Sequence, residues 1–178
     1  MTKVLVVSDS SSLIIAAKAE LLDCLCDEFI VEIPKKVFEE TVTAGRKLQK
    51  LDALKIEKLI VEKKIAVKKV KPVKNKKISG LLGQFNLDEG EKEAIELYIQ
   101  TKAELLLVDD KHAINAAKLL GINWSGIPAI IVVFAENGII EKTRALESLR
   151  IAQEEGRYKL DFILDAFNKI QQLKGGKL

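Results

Sequence analysis

Two cysteines, three prolines, one methionine and one histidine in 178 residues rule out several kinds of chemistry. Cys24 and Cys26 stand two apart, poorly placed for a mutual disulfide, and with only His112 elsewhere they do not form a zinc site. They read as reduced, buried thiols. A single histidine removes most histidine-based acid–base schemes and leaves carboxylates, lysines and hydroxyls. No apolar run approaches the ~18 residues that cross a bilayer. The first residues enter a strand without the basic and apolar regions of a signal peptide, so a cytoplasmic location with no membrane partner is expected. Scarce arginine beside abundant lysine fits the charged surface of a thermophile's protein.

What remains is an ordinary globular composition, 48% hydrophobic and 31% charged, in a chain long enough to bury a core without staples. Its net charge of +3 is unevenly spread. From Arg46 to Lys77 thirteen basic residues face three acids, a local +10 that leaves −7 for the rest. Such a segment suits a polyanion, with Lys68, Lys69, Lys74, Lys76 and Lys77 as candidate phosphate contacts. It also reads as a solvated helix face, because Leu48, Leu51, Leu54 and Leu59 make an apolar stripe among the lysines.

Strand and helix patterns alternate. Strands are expected at 3–8, 29–33, 65–70, 104–108 and 122–124. Helices are expected at 13–25, 35–42, 46–63, 88–100, 111–120, 127–136, 141–154 and 160–173. Gly45 should interrupt the second and third helices, residues 71–79 should form a polar connection, and 175–178 should fray. This alternation predicts an α/β fold with a central parallel sheet and helices on both faces. The expected organisation is a main domain over 1–155, with 156–178 as a C-terminal helix and tail packed on it.

The chemistry sits at strand ends. Val4-Leu5-Val6-Val7-Ser8 runs into Asp9, and Leu105-Leu106-Leu107-Val108 runs into Asp109 and Asp110. Open α/β sheets place their ligand crevice at the C-terminal ends of strands. Carboxylates crowded there repel unless they take up protons or a cation, although each Asp also reads as the cap of the helix that follows. Two helices can complete the site. Glu40 lies beside the apolar face of the 35–42 helix. Glu91 shares its face with Ala94, Ile95 and Tyr98, whereas Glu93 points the opposite way, toward water. Gly90 would let backbone come close to the site.

The stretches Val6–Ile14, Ile33–Glu40, Leu87–Ile95, Leu106–Ala113 and Leu120–Gly126 resemble the PIN-domain nucleases. Within them, the chain resembles a small prokaryotic branch related to VapC-type toxins. The similarity spans roughly residues 3–150. It implies a three-layer α/β/α fold, an acidic site binding Mg²⁺ or Mn²⁺, and cleavage of single-stranded RNA. It also implies a small antitoxin partner and a homodimer, the latter supported by apolar Phe162, Ile163, Leu164 and Phe167. The implied catalytic acids are Asp9, Glu40, Glu91 and Asp110, with Asp9, Glu91, Asp109 and Asp110 as metal ligands and Ser10 as an orienting hydroxyl. One departure is Ala113-Ile114, where many members of the branch carry a basic residue; Lys111 can substitute as a phosphate contact.

Other strand-end acid sites fit less well. A haloacid-dehalogenase phosphatase needs a second Asp where Ser11 stands, and a receiver domain needs an Asp where the third strand runs into Lys71-Pro72. The remaining alternative is a non-catalytic RNA-binding or protein-interaction module on the same fold, distinguished by the absence of metal-dependent nuclease activity.

Overall fold

A computed structural model describes residues 3–173. Five strands, β1 (Val4–Ser8), β2 (Phe29–Pro34), β3 (Ile65–Lys68), β4 (Leu105–Leu107) and β5 (Trp124–Ser125), form one sheet in the order β3-β2-β1-β4-β5. Every pairing is parallel. The expected three-layer α/β/α arrangement is the one observed.

Side chains leave a strand alternately to its two faces. Val6, Val31, Ile33 and Leu107 therefore share one core with helices α1 (Ser10–Lys18), α2 (Leu22–Glu28), α5 (Leu51–Val61), α9 (Ile127–Glu136), α10 (Lys142–Glu155) and α11 (Leu160–Gln172). Val7, Leu106 and Val108 face the second core, closed by α6 (Lys76–Leu82), α7 (Glu89–Thr101) and α8 (Lys111–Leu120). The chain builds outward from β1 through β2 to β3, then returns to place β4 on the other side of β1. The order thus reverses between β1 and β4, where doubly wound sheets open a crevice.

Several expected elements differ. The 13–25 helix is two helices separated by Glu20, whose φ of 60° turns the chain. Gly45 does not stop a helix. It lies inside α4 (Ala44–Lys47), where a Cβ would stand 2.6 Å from Ala53 Cβ, so its lack of a side chain lets α4 and α5 touch. The 46–63 helix is instead broken at Gln49, which adopts φ 54°, with Lys50 N–H bonding to the Gly45 carbonyl at 3.0 Å. That break changes the helical phase. Ala53, Ile56 and Leu59 are buried, while Leu48, Leu51 and Leu54 of the expected stripe are exposed.

Within 71–79, Asn75 caps α6 by accepting from Lys77 N–H at 3.0 Å, so part of the polar connection is helical. Strand β3 ends at Lys68, short of Val70. The expected fraying at 175–178 lies outside the described residues. Cys24 and Cys26 are free, and burial pushes the Cys26 thiol up to about 11. Among the described residues, no helix is long and apolar enough to cross a membrane.

Candidate active site

Each strand-end acid is also a helix cap. Asp9 leaves β1 extended and accepts Ser12 N–H through Oδ1 at 2.8 Å, so it caps α1. Asp110 accepts His112 N–H at 2.6 Å and caps α8. Glu91 forms a capping box with Asp88, accepting Asp88 N–H at 3.0 Å and donating its own N–H to Asp88 at 2.8 Å. Capping and ligation are not exclusive, because capping occupies only one carboxylate oxygen. The other oxygen of Asp9, Oδ2, is buried without a hydrogen-bond partner on a residue that is 0% exposed.

Asp109 is held differently. Its Oδ1 accepts Ile127 N–H at 3.1 Å, capping α9 from outside, because Gly126 at that helix's own cap position has no side chain. The missing Cβ is also required for space, since it would stand 2.7 Å from the same oxygen. Asp109 Oδ2, like Asp9 Oδ2, is buried without a partner.

Glu40 comes from a π-helical turn, Glu39–Thr43, that follows α3 (Lys35–Phe38), and its charged neighbours are Asp88, Lys36 and Glu89. π-Turns frequently mark functional positions in helices. Ser10 donates its hydroxyl to Glu40 Oε2 at 2.5 Å. Gly90 of α7 lies directly against the pair: a Cβ there would overlap that oxygen and stand 3.1 Å from Ser10 Oγ. The close approach expected at Gly90 is therefore to Glu40. Glu93, expected in water, is half-buried and accepts Lys36 N–H at 3.2 Å, serving the uncapped first turn of α3.

Burial makes these carboxyls hard to ionise. Loss of solvation, then the charge of Asp109, lifts Asp9 to about 8. Burial, with repulsion from Asp88 and Asp110, lifts Glu91 to about 7. Asp109 is also raised by burial, against the opposing influence of the Tyr158 and Ser12 hydroxyls and Ile127 N–H. Glu40 is raised by burial and partly relieved by Ser10. Asp9 and Glu91, which keep protons near neutral pH in this way, can exchange them for a cation.

Among the described residues, no three acids, cysteines or histidines are grouped closely enough to hold a metal ion together. The donors present fit a hard cation held by a few carboxylates and otherwise by water, as Mg²⁺ commonly is.

The basic segment leaves β3 at the sheet edge that carries Asp9 and Asp109, because all five strands are parallel. Lys68, also exposed, has its Nζ 3.1 Å from buried Glu32. Lys69, Lys74, Lys76, Lys77 and Lys111 are exposed.

A family model described as a PIN domain, DUF3368, matches residues 5–171. This chain belongs to the PIN-domain family. The PIN domain has the fold of nucleases, and here Asp9 and Asp109 follow β1 and β4, the strands between which the sheet order reverses. The chain is also similar to a solved domain of a functionally unknown protein from Methanocaldococcus jannaschii DSM 2661. The two are 20% identical with a TM-score of 0.44, over 69% of this chain and 90% of that one. No curated protein matches it.

Three residues near Asp9 and Asp109 carry no functional signal in the sequence. Ser12 lies within a run of three serines, Gly126 precedes a helix without an acid nearby in sequence, and Tyr158 comes from far down the chain. Only the fold brings them to Asp9 and Asp109.

Proposed function

We propose that this PIN domain is a Mg²⁺- or Mn²⁺-dependent ribonuclease that hydrolyses phosphodiester bonds of single-stranded RNA. The supporting observation is Asp9, a fully buried carboxyl with one oxygen lacking any donor, beside the buried carboxyl of Asp109. A buried unpaired carboxylate is costly unless it is protonated or meets a cation. Asp9 and Asp109, with Glu91 and Asp110 alongside, would hold the ion. When bound, it lowers the pKa of a coordinated water and offsets charge developing on the phosphate. Glu40, fixed by Ser10, orients the attacking water. Lys69, Lys74, Lys76, Lys77 and Lys111 hold backbone phosphates, which position RNA without reading its sequence.

The proposal extends to a toxin paired with a small antitoxin and to a homodimer. The dimer is supported by α11, where Phe162, Leu164 and Phe167 are exposed together with Leu160, whereas Ile163 of the expected set is buried in the larger core; sedimentation of the purified protein tests it. Activity is tested by incubating single-stranded RNA with Mg²⁺ or Mn²⁺, with Asp9→Asn protein prepared identically as the contamination control. Wild type should cut and the variant should not. Inert wild type, or equal cutting by both, would overturn the ribonuclease in favour of a non-catalytic RNA-binding or protein-interaction module.

A further inference from the structure

Among the described residues, five buried side-chain oxygens lack a hydrogen-bond partner, and four of them belong to one group: Asp9 Oδ2, Ser12 Oγ, Asp109 Oδ2 and Tyr158 Oη. Two carboxyls and two hydroxyls come together there from the β1–α1 junction, α1, the β4–α8 junction and the α10–α11 link. Buried polar groups are rarely left unpaired, so such a concentration marks a built site.

Tyr158 arrives by a specific route. Helix α10 is tied along α1 by Arg144 donating to the Glu20 carbonyl at 2.8 Å, Ser148 donating to the Ala19 carbonyl at 3.0 Å, and a Lys18–Glu155 ion pair. The chain then passes Gly156, where a Cβ would overlap Tyr158 Cε2. Glycine there lets the ring fold back toward the sheet. The phenol packs at the margin of the larger core, and its hydroxyl lies close enough to Asp109 for that carboxylate's charge to raise it, with no hydrogen bond closed between the two oxygens. Asp109 Oδ1 is already taken by Ile127 N–H, so Oδ2 is the oxygen left for a hydroxyl donor. A tyrosine hydroxyl rotates its proton freely toward an acceptor, and buried tyrosines usually find one.

We propose that Tyr158 is a positioning residue of the acid site, its hydroxyl donating to Asp109 and holding that carboxylate's second oxygen beside Asp9. The consequence for metal binding rests on the ribonuclease reading above; the pairing itself does not. A donor behind a ligating carboxylate orients it, and removing such a partner typically weakens metal binding by roughly tenfold to a hundredfold.

Two measurements test this. The chain has two tyrosines, so Tyr98→Phe protein leaves Tyr158 alone in the Raman spectrum. In metal-free protein its Fermi doublet should report a strong hydrogen-bond donor. The doublet should shift toward a weak donor when Asp109→Asn is added, and further with Asp109→Leu. A doublet unchanged by Asp109→Asn, which keeps the oxygen that caps α9, would overturn the pairing even if the leucine variant fails to fold. Separately, Tyr158→Phe keeps the ring and should weaken Mn²⁺ binding, followed by electron paramagnetic resonance, by roughly tenfold or more. Affinity equal to wild type would overturn the positioning role. Wild type that binds no Mn²⁺ would instead overturn the metal reading, with the Raman comparison still deciding the Tyr158–Asp109 pairing.

Discussion

Ser10 donates to Glu40 across a gap that only a glycine at position 90 leaves open. The hydrogen bond joins the first turn of α1 to the π-turn after α3, under the N-terminal end of α7. Three elements far apart in the chain thereby place one carboxylate, and the residue that makes this possible carries no functional group.

Gly90→Ala should therefore separate stability from activity. Alanine is ordinarily favoured over glycine within a helix by up to about 1 kcal/mol. Here the new Cβ meets the flexible end of Glu40, which can move aside at little cost to the fold but loses Ser10. The melting temperature should stay within a few degrees of wild type while RNA cleavage falls, on the order of 10²-fold for a misplacement near 1 Å. Thermal melting and a cleavage time course check this; full activity would exclude a role for Glu40 in positioning.

Metal-free protein should lose stability as pH rises. Asp9 ionises near 3.8 when unfolded but at about 8 when folded. Glu91 likewise moves from 4.5 to about 7. Between these values the unfolded chain releases protons that the folded chain keeps, so the slope of stability with pH is negative. The melting temperature should fall between about pH 4 and pH 8, less steeply in Asp9→Asn. Mn²⁺ should reverse the loss at high pH, because ligand that binds only folded protein stabilises it. A wild-type profile parallel to that of Asp9→Asn would contradict the burial argument.

Lys68 should behave unlike its basic neighbours. Lys68→Gln leaves Glu32 buried without its cation and should cost about 1–3 kcal/mol in denaturant unfolding. Gln at Lys69, Lys74, Lys76 and Lys77 should leave stability nearly unchanged. Those changes should weaken RNA binding across sequences and flatten the salt dependence by about one unit of slope for each phosphate no longer neutralised. Unaltered affinity and slope would return the segment to a solvated surface.

Asp110→Asn should keep its cap, since asparagine serves that position as well as aspartate. Unfolding should then move by less than about 0.5 kcal/mol, RNA binding should persist and cleavage should be lost. A variant that still cuts would leave Asp109 as the acid that matters after β4.

The acids at strand ends were legible because two local rules coincide: a buried apolar run specifies a strand, and an Asp at its end caps the next helix. The same locality explains the error in α5. Leu48, Leu51, Leu54 and Leu59 match a helical period, but the break at Gln49 resets the phase and buries Ala53 and Ile56 instead. A one-dimensional pattern cannot register a turn enforced by the close packing of Gly45 on Ala53.

The sequence by itself determined the alternation of elements, the parallel sheet, the family resemblance and the positions of Asp9, Glu40, Glu91, Asp109 and Asp110. The elements and strand-end acids follow from hydrophobic periods and capping residues that act over a few positions, whereas the full acid set is what the family resemblance implies. Packing, not local pattern, sets Asp109 near Asp9 while it caps α9 and brings Lys68 to Glu32. Those pairings join residues distant in the chain, and their partners are selected by sheet order and by space left at Gly90, Gly126 and Gly156, where the decisive feature is an absent side chain.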